Sequence, residues 1–143
     1  MTTTWIIAAD SSRARILQAT DRDKRLDEIE ELQNPEGRAH NRDLIADAQP
    51  RFHGTSGAPG SDREETSATE HATELFAKRV GEYLDKARTA HKYDRLHLVA
   101  PPKFLGQLRK ELGKEVEKLV SDEMPKDLAW LSARDIQAHL AGN

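Results

Sequence analysis

Apolar residues run without a break from Trp5 to Ala9 and stop at Asp10-Ser11-Ser12. A short β-rich run closed by turn formers reads as a strand and its turn, with Arg13 to Leu17 as the returning strand of a hairpin. In that second strand Ala14 and Ile16 share one face, and Arg13, Arg15 and Leu17 share the other. The first strand does not alternate, which predicts burial on both sides. Residues 26–33 set Leu26, Ile29 and Leu32 among acidic residues. That spacing suits a helical turn as well as a solvent-facing strand.

The pattern is lost from Asn34 to Arg63, where Pro35, Gly37, Pro50, Gly54, Gly57, Pro59 and Gly60 interrupt polar residues and only Leu44-Ile45-Ala46 is apolar. Little apolar surface is there to offset ordering entropy, so a long loop over about 35–63 is expected, mobile or held by a partner. Limited proteolysis is expected to cut first near Arg51 or Arg63. The clearest helix follows, over about 66–91, with Ala72, Leu75, Phe76, Val80, Tyr83, Leu84 and Ala87 at three- and four-residue steps. Leu75, Phe76, Val80 and Leu84 are its expected contacts with the sheet. Thr66 or Ser67 can cap its start, with Glu70 three residues past Ser67 as in a capping box. Leu96 to Ala100 reads as a buried strand ended by Pro101-Pro102, and a helix over about 103–112 turns Leu105, Leu108 and Leu112 inward. Residues 115–124 admit two readings: Val116, Leu119 and Val120 fit a helix, while Val116, Lys118, Val120 and Met124 fit a strand. Pro125 ends that element, and Ser132 caps a last helix carrying Ile136 and Leu140. Strands first, then alternating α and β, argue a single α/β domain over residues 1–143, a mixed sheet with packed helices.

Composition narrows the chemistry. The 143 residues hold 22 Lys and Arg against 25 Asp and Glu, a net charge of −3. This excludes a strongly basic nucleic-acid binder and leaves room for a local basic patch. The chain has no cysteine, which excludes disulfides, thiolate metal sites and cysteine catalysis. The apolar run near the start is too short for a secretory or membrane segment, so a cytoplasmic protein without a membrane partner is expected. Asp10, Glu70, Asp94 and Asp127 are candidate holders of metals for phosphodiester cleavage, though each also suits a turn or a helix start. The six histidines, His40, His53, His71, His91, His97 and His139, match no zinc spacing. His97 reads as a hydrogen-bonded core residue. Gly54 to Gly60 lacks the Lys-Ser/Thr of a phosphate-binding loop, and no GxSxG occurs. Arg13 and Arg15 share a strand face and can meet phosphate or carboxylate.

The segments Asp10-Ser11-Ser12-Arg13-Ala14-Arg15-Ile16-Leu17, Glu74-Leu75-Phe76-Ala77, Leu96-His97-Leu98-Val99-Ala100-Pro101-Pro102, Leu105-Gly106-Gln107-Leu108-Arg109 and Lys126-Asp127-Leu128 occur in this order around the long loop. Together they resemble the bacterial host-attachment protein family, described as required for attachment to host cells. That family is similar in organisation to the middle domain of eukaryotic and archaeal release factors and of Pelota. The resemblance implies a ribonuclease-H-like, strongly twisted sheet of about five strands, and favours a strand within 115–124. In release factors the equivalent loop presents Gly-Gly-Gln to the peptidyl-tRNA ester. Here its only glutamine is Gln49, between Ala48 and Pro50, so intrinsic esterase activity on peptidyl-tRNA is not expected. The expectation is a non-enzymatic binding module with no cofactor and no metal, associated with RNA or ribosomes and linked indirectly to attachment. Its binding residues would be Asp10, Arg13, Arg15, Arg38, Arg42, Arg51, His53, Lys126 and Asp127. The alternatives are a metal-dependent hydrolase of phosphodiesters or esters, and a protein-interaction adaptor using the acidic stretch at 26–33.

Overall fold

The computed structural model describes residues 2–20, 25–35 and 59–141. Its first strand, β1 (Thr3–Ala9), turns at Asp10 into the antiparallel β2 (Arg13–Thr20), and β3 (Asp27–Gln33) pairs antiparallel with β2. The turn is built by one side chain: Asp10 Oδ1 accepts the Ser12 and Arg13 amides at 2.8 and 3.0 Å. Beyond the long connection come α1 (Pro59–Thr89), β4 (Arg95–Val99), α2 (Pro102–Glu111), the short α3 (Lys114–Glu117), β5 (Val120–Met124) and α4 (Ala133–Ala141). β4 lies parallel to β1 and β5 parallel to β4, so the five-stranded sheet runs β3-β2-β1-β4-β5. The α/β class and the mixed sheet are as the sequence implies.

The side-chain alternation of β1 divides the core. Trp5, Ile7 and Ala9 join Ala14, Ile16, Leu96 and Leu98 on one face, under Phe76, Val80 and Leu84 of α1 and Phe104, Leu105 and Leu108 of α2. Ile6 and Ala8 join Leu17, Val99 and Met124 on the opposite face, under Leu128 and Ile136. β1 is therefore sandwiched, which explains its unbroken apolar run. Tyr93 sits 4.9 Å from Trp5 between ring centroids and donates its hydroxyl to Leu84 O at 2.7 Å.

Four expectations change. α1 begins at Pro59, not near 66, so Thr66 and Ser67 lie inside the helix and not at its start. Proline is at ease in a first helical position, and Asp62, Glu64 and Glu65 follow where acidic residues favour a helix start. The loop expected over 35–63 therefore ends by 58; residues 36–58, Arg51 among them, lie outside the described residues, and Arg63 falls within α1. Leu75, expected in the core, is 52% exposed. Each helical residue turns the chain by about 100°, and the buried stripe through Ala72, Phe76, Val80 and Leu84 leaves Leu75 on its flank, beside Pro35 and Arg79. The ambiguous segment at 115–124 is both things in turn, α3 and then β5. Residues 26–33, open between helix and strand, form the edge strand β3, and the last helix starts as read, with Ser132 Oγ accepting the Asp135 amide at 3.1 Å.

Candidate functional site

β1 and β4 are parallel neighbours, yet the chain leaves them in opposite directions: from β1 into the β2–β3 half of the sheet, and from β4 through α2 and α3 to β5. At such a switch of direction, loops diverge from the carboxyl ends of the strands and leave a crevice. A cleft of about 390 Å³ opens there. The hairpin turn supplies Asp10, Ser11 and Ser12; α1 supplies Glu70 and Thr73; the start of α2 supplies Lys103, Phe104 and Gln107 behind Pro101; the connection after β5 supplies Asp127. No side chain caps the start of α2, so the positive end of its dipole forms part of the wall.

The charges around the cleft are partly matched. Arg13 Nε lies 3.7 Å from Asp10 Oδ2, and Lys103 Nζ lies 3.8 Å from Glu70 Oε1, the latter pair largely in solvent. The exposed Lys103–Glu70 pair holds loosely and yields to a competing ligand. Gln107 Oε1 is buried and meets no donor in the fold. Trp130, which is not part of the lining, is 64% exposed, and its Nε1 donates to the backbone oxygen of the lining residue Asp127 at 2.8 Å. Asn34 ties the end of β3 to the same place, donating from its amide N to Ser12 O at 2.8 Å and from Nδ2 to Ser11 O at 2.9 Å.

Of the residues singled out in the sequence, Asp10, Glu70 and Asp127 come together in this cleft, with Arg13 and Lys126 next to them in the chain or in space. Among the described residues no three His, Asp or Glu side chains stand close enough to hold one metal ion. Asp94 is elsewhere: its Oδ2 accepts the Thr3 amide at 2.8 Å, at the amino end of β1. Arg15 is buried and committed within the fold. Its guanidinium donates to Glu28 Oε1 at 2.6 Å, to Ala129 O at 2.8 Å and to Leu131 O. Arg38, Arg42, Arg51 and His53 lie outside the described residues. His97 is half-buried on β4 with Nε2 3.4 Å from Asp122 Oδ2, and that nitrogen is without a hydrogen bond, unlike the bonded core histidine expected. Burial lowers its pKa, and the Asp122 carboxylate opposes that shift only in part. The acidic stretch at 26–33 becomes an edge strand whose Asp27, Glu28, Ile29 and Glu30 are exposed, a charged border that discourages pairing with another sheet.

Sequence reasoning missed Lys103, Gln107 and Trp130. Lys103 and Gln107 follow the Pro101-Pro102 stop, where a helix starting at the carboxyl end of a strand is itself a signal. Trp130 had no local signal, because its neighbours Leu128 and Ala129 are buried.

The chain belongs to the family described as "Protein required for attachment to host cells", whose pattern matches residues 5–140. An uncharacterized protein of Rickettsia prowazekii (strain Madrid E), RP470, is 43% identical over 54 residues, a stretch covering 36% of this chain and 36% of that protein. The crystal structure of the type II variant of the Aquifex aeolicus Ppx/GppA phosphatase aligns with 87% of this chain and 36% of its own, at 15% identity and a TM-score of 0.43. Among the described residues no helix is long and apolar enough to cross a membrane.

Proposed function

We propose that this protein is a binding module without catalysis of its own, acting inside the cell on RNA or the ribosome, with attachment to host cells an indirect consequence. One observation carries the reading: Lys103 lines an open cleft at the carboxyl ends of β1 and β4, where the start of α2 presents its positive end, while Arg13 pairs with the Asp10 of its wall and Lys126 precedes the Asp127 of its wall in sequence. Cations on a rigid rim fix a phosphate backbone by charge and hydrogen bonding. Arg38, Arg42, Arg51 and His53 follow in sequence from Asn34, which is anchored at Ser11 and Ser12, and they belong to the same proposal. Arg15 does not, since its donors are already used. Likeness to the release-factor middle domain, an implication of the family resemblance, agrees with a ribosomal partner. Co-sedimentation with ribosomes at roughly 50 and 200 mM salt is the test, because phosphate contacts weaken steeply over that interval. Association that survives the higher salt unchanged, or that never occurs, rejects the reading.

A second reading draws on Asp10, Glu70 and Asp127 lining one cleft: they form no ready-made metal group among the described residues, so metal-assisted hydrolysis of a phosphodiester would require a cation held jointly with the substrate. Titrating magnesium or manganese with mixed RNA and phosphodiester substrates tests it. Metal-dependent cleavage that disappears on Asp127→Asn would replace the first reading.

A further inference from the structure

We infer that the cleft accommodates a single ribonucleotide unit, with its base on Trp130, its ribose inside and its phosphate at the lysine rim. This rests on the reading of the cleft as a binding site and specifies what it binds.

Trp130 is the starting point. Large aromatic side chains are normally well buried, yet this indole is 64% exposed while its only donor is already held by Asp127 O at 2.8 Å. What remains for a ligand is the flat face of the ring, fixed in orientation by that hydrogen bond. A rigid exposed π-face is suited to stacking, and every nucleobase offers one. Asp127 joins the indole to the cleft, because its backbone carbonyl holds the ring and the residue itself lines the wall.

Charge decides which part of the nucleotide goes inside. A phosphate placed among Asp10, Glu70 and Asp127 would be repelled, whereas hydroxyl groups would find acceptors. Asp10 is occupied by two backbone amides and by Arg13, and Glu70 by Lys103, which leaves Asp127 as the carboxylate for a ribose hydroxyl. Gln107 adds a wall acceptor whose Oε1 lacks a donor. A carboxylate accepting from a ribose 2′-hydroxyl is an established way of selecting that sugar. Lys103 stands at the mouth with its side chain 78% exposed, and Lys126 precedes Asp127; both can meet phosphate oxygens in water. The cleft volume of about 390 Å³ lies in the roughly 300–1,000 Å³ range of small-ligand sites.

The nucleotide could be free or part of a single strand, and fluorescence separates the two. Trp5 is 1% exposed, so quenching on titration reports Trp130. The full chain is titrated with adenosine monophosphate, with a ten-nucleotide oligoadenylate and with its deoxy counterpart. Quenching by the monophosphate and the oligoribonucleotide alike indicates a free nucleotide; quenching by the oligoribonucleotide alone indicates RNA. With binding by the variants read by isothermal titration calorimetry, since the Trp130 substitutions remove the reporting indole, Trp130→Ala should weaken binding roughly 10-fold or more, Trp130→Phe should retain most of it, and Asp127→Asn should narrow the preference for ribose over deoxyribose. Equal binding of ribo- and deoxyribo-ligands by the unaltered chain, or indifference to Trp130→Ala, overturns the inference. Ribosome association that persists when Trp130→Ala has no effect would leave the binding-module reading standing and remove only this site. Monophosphate binding without ribosome association would do the reverse.

Discussion

Arg15 carries its charge where water barely reaches. It is 8% exposed, paired with Glu28 and bonded to the carbonyls of Ala129 and Leu131. The strand period correctly sets its side chain on the Leu17 face. What covers that face is a connection 114 residues further along, and no local pattern can announce it. Arg15→Met should therefore cost stability, about 2–3 kcal/mol, because two carbonyls and a partly exposed carboxylate lose a charged donor. Arg15→Lys should recover little, since an ammonium cannot reproduce the fork. Urea unfolding checks both, and a loss below half a kilocalorie for Arg15→Met would contradict the structural role. Two other side chains set pH limits. Burial raises Tyr93 to about 12 from its ordinary 10.0, so its share of stability is intact below pH 10 and fades as pH rises through about 12. His97 is shifted the opposite way, down from 6.5 by burial. The unfolded chain then takes up a proton more readily, and this share of stability, full above pH 6.5, is lost on acidification through the lowered value. Thermal melts across the acid range should show a shallower decline for His97→Gln than for the unaltered chain.

At the level of elements, α1 and α2 approach so closely that a side chain has no room between them. A Cβ on Gly81 would lie 2.8 Å from Glu111 O, a backbone atom that cannot swing aside. Gly81→Ala gains helix propensity, worth up to about 1 kcal/mol, but overpacking a fixed contact costs about 1–3 kcal/mol. Net destabilisation is expected. Gly106→Ala in α2 is the control: its Cβ meets nothing within 4 Å, so the propensity gain should appear as added stability of about 0.5–1 kcal/mol. Chemical denaturation of the two variants should give opposite signs, and equal signs would refute the packing argument. Local periodicity revealed β1, β2, β4, α2 and the cap of α4 because each has a face that is either plainly apolar or plainly capped. It failed where two elements share a short stretch, as α3 and β5 do, and at the start of α1. There the polar first turns have no apolar stripe to mark them. Phe76, by contrast, is 2% exposed as the stripe requires, and Phe76→Ala should cost about 3–5 kcal/mol.

For the whole molecule, the order β3-β2-β1-β4-β5 turns a scattered set of residues into one cleft. Asp10, Glu70 and Asp127 could be named from the sequence as residues at element ends. Their meeting depends on β4 pairing with β1 across the long connection, a nonlocal choice that fixes where the crevice opens. The same topology predicts how salt should act on nucleic-acid binding. A net charge of −3 means that only a local cluster can attract phosphate, and the cluster proposed for the cleft is Arg13, Lys103 and Lys126. Each phosphate contact on a single strand contributes a slope of about −0.7 in log affinity against log salt. Three contacts give about −2, and engagement of Arg38, Arg42 and Arg51 as well brings the slope to about −4. Replacing Lys103 and Lys126 together by Gln should flatten the slope by about 1.4 and weaken all RNA sequences alike, because phosphate contacts carry no base information. Binding isotherms for one oligoribonucleotide at four salt concentrations measure this directly. A slope that the double substitution leaves unchanged would mean that the phosphates lie on another face of the protein.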